Sequence, residues 1–207
     1  MKRRMLNWHF ATLLAVVVSL SATSCKDKKK EDPKPENKTV STQTVREVNA
    51  NTAPGAYTLF SFKDNTVIAN SDSNSTKWDI GFKSTTIIVN GGTSGPGNAA
   101  ALIYTGLFSD LTEAPENGYK QDNDNITPPH AIPTGSGNGW YNYSGVPTHV
   151  ITPIPGRVLV FRTADDKYAK VELISYYKGV PATPNMADEA GYYTFRFTYQ
   201  SDGSRTF

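Results

Sequence analysis

The stretch from Tyr192 to Tyr199 restricts the fold more than any other part of the chain. Tyr193, Phe195, Phe197 and Tyr199 alternate with Tyr192, Thr194, Arg196 and Thr198. A period of two belongs to a strand with one buried face, because successive side chains leave a strand on opposite sides. Ala169, Val171 and Leu173 alternate with Lys170 and Glu172 in the same way. Val158-Leu159-Val160-Phe161 is a continuous apolar run, the pattern of a strand buried on both faces. Ala164-Asp165-Asp166-Lys167 lies between those two segments and reads as a hairpin turn. Earlier strands are expected at Tyr57–Phe62, Trp78–Phe82, Thr86–Val89 and Ala100–Tyr104, separated by Gly, Pro, Asn and Ser clusters. Phe108–Ala114 alone suggests a short helix. The expectation is one all-β, antiparallel domain over residues 40–207, a length that suits a single core.

Residues 121–140 break the pattern. QDNDNITPPHAIPTGSGNGW carries three prolines and three glycines, which rules out a central strand or a helix. A long connection without structure of its own is usually functional or disordered.

The N-terminus has a different character. Lys2, Arg3 and Arg4 precede an apolar stretch from about Leu6 to Leu20, and Ser21-Ala22-Thr23-Ser24 lead into Cys25. Charge, a short apolar run and a small-residue cleavage site in that order make residues 1–24 a signal peptide. The run is shorter than the roughly 20 apolar residues that a spanning helix needs. Cys25 is the one cysteine of the chain and sits where a lipobox cysteine sits, so it is expected to carry the lipid anchor. Residues 25–39 then form a flexible charged tether, since 26–38 read KDKKKEDPKPENK and offer nothing to offset the entropy of ordering.

Charge excludes one class of partner. The basic excess of the whole chain belongs to the signal peptide and tether; residues 39–207 hold 12 Lys and Arg against 15 Asp and Glu. No basic face with interleaved aromatics is present, so nucleic acid is not an expected partner.

Catalytic and metal motifs are missing too. There is no Gly-x-Ser-x-Gly, and Asn90-Gly91-Gly92-Thr93-Ser94-Gly95-Pro96-Gly97 is not followed by the Gly-Lys-Ser/Thr of a phosphate loop, so it reads as a turn. Asp122-Asn123-Asp124-Asn125 opens like a calcium loop but lacks the required glycine and distal glutamate. His130 and His149, nineteen residues apart, are too few and too far apart for a zinc site. They do suit a metal macrocycle. Haem needs one or two axial ligands and apolar walls, and the domain adds Met186 and many aromatics, among them Trp78, Trp140, Tyr141, Tyr143, Tyr176 and Tyr177.

Three stretches carry a resemblance: Lys77-Trp78-Asp79-Ile80-Gly81-Phe82, then Asn90-Gly91-Gly92-Thr93-Ser94-Gly95, then Arg157-Val158-Leu159-Val160-Phe161-Arg162-Thr163-Ala164-Asp165-Asp166-Lys167-Tyr168-Ala169-Lys170-Val171-Glu172. In this order, behind a lipoprotein signal, they resemble the HmuY family of haem-binding lipoproteins of Gram-negative bacteria. The resemblance spans residues 40–207. It implies a hand-shaped all-β domain, anchored to the outer membrane on its exposed side. It also implies that the domain captures haem, passes it to a TonB-dependent outer-membrane receptor and catalyses nothing. Family members hold haem through two side chains, one from the loop before the strand that begins here at Gly139-Trp140 and one from just after that strand. His130 corresponds to the first. Gly145 stands at the second position, with His149 four residues later, so His130 and His149 are the expected axial ligands of the haem iron. Met186 is the other residue of a haem-ligating type. The residues leave a second class open: a surface lipoprotein of the same fold with another ligand or a protein partner, in which His149 is packed for structure.

The anchor is tested by labelled palmitate. The parent chain should incorporate the label, and Cys25→Ala should incorporate none and appear in the soluble fraction or as uncut precursor; label in the variant would overturn the lipobox assignment.

Overall fold

Every ladder in the sheets is antiparallel, and the pairing sorts the strands into two main layers. The structure, a computed structural model, describes residues 40–207. The signal peptide, Cys25 and the tether lie outside the described residues. The strands in chain order are β1 (Thr42–Asn49), β2 (Thr58–Ser61), β3 (Thr66–Ile68), β4 (Ile80–Lys83), β5 (Thr86–Val89), β6 (Ala100–Thr105), β7 (Tyr141–Tyr143), β8 (Ile151–Pro153), β9 (Arg157–Arg162), β10 (Tyr168–Tyr177) and β11 (Ala190–Gln200). One sheet runs β1-β11-β10-β9-β6, a second runs β3-β2-β4-β5, and β7 pairs with β8 as a separate hairpin. Among the described residues, helical structure is confined to a 3-10 turn at Asn70–Asp72.

The aromatic alternation of β11 makes the centre of the core. Tyr193, Phe195 and Phe197 are fully buried. Phe60 meets Phe195 edge-on at 5.4 Å, Phe62 lies 5.3 Å from Phe197, and Phe82 lies 4.6 Å from Tyr193, so rings of the four-stranded sheet interleave with rings of the five-stranded one. Such tilted and edge-to-face pairs add roughly 0.5–1.5 kcal/mol each beyond the area they bury. The continuous apolar run of β9 is explained by two cores. Leu159 and Phe161 point into the main one, while Val158 and Val160 face a smaller cluster with Phe108, Leu111 and Ala114. The β9–β10 connection is the expected hairpin, closed by the Thr163 amide on the Lys167 carbonyl at 2.8 Å.

Phe108–Ala114 is not a helix. Its apolar spacing is that of a buried turn: the Ala114 amide donates to the Arg205 carbonyl at 2.7 Å, and Phe207 donates to Thr112 at 2.8 Å. The C-terminal segment thus takes groups that a helix would pair internally. Lys170, on the outer side of β10, lies beneath this turn. Its Nζ donates to the carbonyls of Phe108 and Leu111 at 2.9 and 2.8 Å and sits 4.5 Å from the Phe108 ring centre. Burial lowers its pKa, and Arg196 lowers it further.

Two buried polar side chains fix how the layers meet. Asp79, 6% exposed, accepts the Phe62 amide on Oδ2 at 2.8 Å and the Ala164 amide on Oδ1 at 3.0 Å. One carboxylate therefore joins the end of β2 to the β9–β10 turn. Asn90 donates to the carbonyls of Ser75 and Trp78 at 2.9 and 2.7 Å and accepts the Gly97 amide at 3.1 Å. A side chain at Gly95 would come within 2.2 Å of the Asn90 Oδ1, which explains the glycine there. The 90–97 segment is the expected turn.

Burial drives the Asp79 pKa up to about 6, against the opposing pull of its two amide donors, with Asp165 and Asp64 adding to the rise. Between about pH 4 and 6 the folded protein holds a proton here that the unfolded chain has released. The group's stabilising contribution is therefore full below about pH 4 and is lost as pH rises through about 6, by on the order of 2–3 kcal/mol. In urea unfolding at pH 4, 5, 6 and 7, the stability gap between the parent and Asp79→Asn should be larger at pH 4 than at pH 7 by about that amount. Parallel profiles would contradict it.

Candidate functional site

The loop that carries His130 is held from beneath by a second buried carboxylate. The Asp122 side chain is wholly buried; Oδ2 accepts the Val89 amide at 2.9 Å and Oδ1 accepts the Ala131 amide at 2.7 Å. Its own carbonyl accepts the Thr93 amide at 2.9 Å, and Asn123 donates to Pro129 at 2.7 Å. Gly92, at φ +64°, passes so close that a Cβ would stand 1.9 Å from the Asp122 carbonyl oxygen. Asp122 is thus a staple between β5 and the loop, with both oxygens already occupied, rather than the opening of a calcium loop. Among the described residues, no group of three or more His, Cys, Asp or Glu is placed to hold a metal ion.

His130 follows directly from this staple. Its Nδ1 lies 3.9 Å from Asp122 Oδ1, too far for a hydrogen bond. That nitrogen is buried and has no hydrogen-bond partner, while the side chain as a whole is 20% exposed. The open part of the ring is therefore away from Nδ1. Ile126, on the same loop, is half exposed.

His149 is built differently. Trp140 anchors the start of its hairpin: Nε1 donates to the Thr85 carbonyl at 2.9 Å, and the indole packs against Tyr141, Tyr176 and Tyr193. The β7–β8 connection is then cross-bonded. The Ser144 amide donates to the Val150 carbonyl at 2.9 Å, the Val150 amide donates to Ser144 Oγ at 2.8 Å, and the His149 amide donates to the Gly145 carbonyl at 2.8 Å. Gly145 adopts φ +69° to make this turn, so a glycine there has a local reason. His149 itself sits at φ 48°. Its ring is exposed, and its Nδ1 is hydrogen-bonded to the Tyr143 hydroxyl. Tyr143 and Val146, on the same hairpin, are exposed apolar side chains, Val146 at 82%.

The two histidine loops are tied to one another through the backbone. The Tyr143 amide donates to Ser136 Oγ at 2.8 Å, and the Gly137 amide donates to the Tyr141 carbonyl at 2.9 Å. The imidazoles themselves sit on separate loops. Neither lines the concavity of about 310 Å³ between β8, β10 and Pro181–Pro184, nor the wider one of about 600 Å³ lined by Tyr119, Lys120, Asn123, Ile126 and Arg162. Met186 stands 68% exposed on the loop between β10 and β11. Asp122 and Tyr143 are the residues that sequence reasoning left out of the site. Asp122 had a legible signal only as a carboxylate in a loop rich in proline and glycine, and the bond from Tyr143 to His149 had none.

Residues 55–197 match the model of a family described as HmuY protein. Similar solved structures include a protein from Bacteroides vulgatus ATCC 8482 described as HmuY-like and heme binding. It has 21% identity and a TM-score of 0.50, over 75% of this chain and 90% of that one. A protein from Bacteroides fragilis NCTC 9343 described as a lipoprotein has 20% identity and a TM-score of 0.49, over 75% and 89%. An apo HmuY analog from Tannerella forsythia has 13% identity and a TM-score of 0.49, over 78% and 95%. At such identities the likeness to the Bacteroides vulgatus structure is one of fold. No curated protein matches the chain.

Asp122→Ala should orphan the Val89 and Ala131 amides, at roughly 1–3 kcal/mol for each buried group left unpaired. The expected result is a lower melting temperature and faster hydrogen exchange at those two amides. Asp122→Asn keeps one acceptor oxygen and should cost less. Unchanged exchange in the alanine variant would contradict the staple.

Proposed function

We propose, for a chain that belongs to the HmuY family, the function of a membrane-anchored haem-binding lipoprotein that passes its haem to a TonB-dependent outer-membrane receptor. The observation that carries it is the pair of histidine loops inside the span of the family match. The donor set fits the group: a macrocycle brings four ligands of its own, so two imidazoles complete its iron, whereas a bare ion would need a cluster of protein donors. Exposed apolar side chains flank each histidine, Ile126 by one and Tyr143 and Val146 by the other. When bound, haem supplies the metal chemistry; the protein supplies two nitrogens and apolar cover. His130 offers the part of its ring turned away from the buried Nδ1, and His149 offers Nε2, since Nδ1 is engaged by Tyr143. The protein is a carrier rather than an enzyme. Cys25 anchors it to the outer membrane.

Haemin titration of the soluble domain, read by absorbance, tests this. The parent should give a six-coordinate, low-spin ferric spectrum near neutral pH. His130→Ala and His149→Ala should each give five-coordinate or water-ligated iron with weaker binding, and the double variant should lose far more. Haem should also raise the melting temperature of the parent by mass action, and less so in the variants. No spectral change with excess haemin would favour the same fold serving another ligand or a protein partner. Tight binding that ignores both histidines would move the ligation to Met186 or a tyrosine.

A further inference from the structure

The bond between Tyr143 and His149 joins two side chains whose backbones are fixed independently. Tyr143 ends β7, faces Ile151 across the hairpin, and has its amide on Ser136 Oγ at 2.8 Å. His149 is placed by the turn bond to Gly145 at 2.8 Å, inside a loop where Ser144 Oγ also meets Thr148 Oγ1 at 2.6 Å. The two rings lie 5.9 Å apart, centre to centre. The hydroxyl engages Nδ1, not Nε2.

That choice has a chemical consequence. A neutral imidazole carries one ring proton, and the nitrogen that binds a metal must be the one without it. With Nε2 as the donor to iron, the proton sits on Nδ1 and needs an acceptor. The Tyr143 oxygen is the acceptor that the structure places there. A hydrogen bond from the distal N–H of a ligating histidine fixes its tautomer and ring orientation and raises its basicity.

We infer that Tyr143 is the positioning residue of the His149 ligand: its hydroxyl oxygen holds the Nδ1 proton, directs Nε2 to the iron of a bound haem, and strengthens that nitrogen as a donor. The inference rests on the haem reading. Tyr143 does not itself touch the iron; it acts through His149.

Tyr143→Phe removes the hydroxyl and keeps the ring, so any stacking of the ring on a ligand survives. Tyr192→Phe serves as the control, because its hydroxyl is bonded to the Glu189 carboxylate outside the site. The whole chain, purified in detergent, is titrated with ferric haemin, and the reduction potential of the loaded protein is measured. Long-range nitrogen–proton NMR of the haem-free protein reports the tautomer of His149. In Tyr143→Phe, affinity for ferric haemin should fall roughly tenfold, the size typical of lost outer-shell partners. The potential should rise, because a less basic imidazole stabilises ferric iron less. The share of the His149 ring protonated on Nδ1 should drop, and the melting temperature should stay close to that of the parent. Tyr192→Phe should match the parent throughout. If His149→Ala abolishes low-spin ligation while Tyr143→Phe leaves affinity, potential and tautomer unchanged, the positioning role is overturned and the haem reading stands. If the parent shows no haem spectrum at all, both fall.

Discussion

Buried polar side chains, with Asp79 at their head, fix how the two sheets sit on each other. The apolar contact between them is large but non-directional, and aromatic rings alone would tolerate several alignments. Asp79 removes that freedom, because its two oxygens accept amides from opposite layers, one at the end of β2 and one at the β9–β10 turn. Asn90 and Asp122 repeat the device, each serving backbone groups of two separate segments. Burying a polar group is costly unless its hydrogen bonds are satisfied, and all three meet that condition through backbone partners.

The site inherits its shape from these staples. Asp122 holds the long loop against β5, which makes a segment rich in proline and glycine into a defined support for His130. The hairpin of His149 needs no such internal carboxylate, since its strands pair and its turn is closed by Ser144 and Gly145. His130 and His149 are carried on unlike supports, one stapled and one cross-bonded, and both supports are ordered by the chain's own hydrogen bonds. Ordering that is already present does not have to be supplied by binding energy.

The expected strands at Thr86–Val89 and Ala100–Tyr104 coincide with β5 and β6 to within a residue, and the apolar run at Val158–Phe161 is the centre of β9. β1 was not legible. Thr42–Asn49 is mostly exposed and mostly polar, so it carries little alternation, and it becomes a strand by pairing with β11 at the sheet edge. Phe108–Ala114 misled in the opposite direction, because helical spacing of apolar residues also suits a turn whose amides are taken by a distant segment. Lys170 looked like a solvent-facing partner in an alternating strand. It is buried because the turn above it presents carbonyls that an ammonium can satisfy.

The sequence by itself determined the β class, the position of the central strands, the hairpin at residues 164–167, the inward face of β11 and the two histidines worth attention. Those properties are local: period and composition act over a few residues, and a side chain's face follows from its parity. Only the tertiary structure decided what Asp79, Asn90, Asp122 and Lys170 do, and which nitrogen of His149 is engaged. The Asp79 bond to Ala164 spans 85 positions, and the Asp122 bond to Val89 spans 33. A polar residue advertises its capacity for hydrogen bonds in the sequence, but its partner is chosen by whatever the folded chain brings within 3 Å of it.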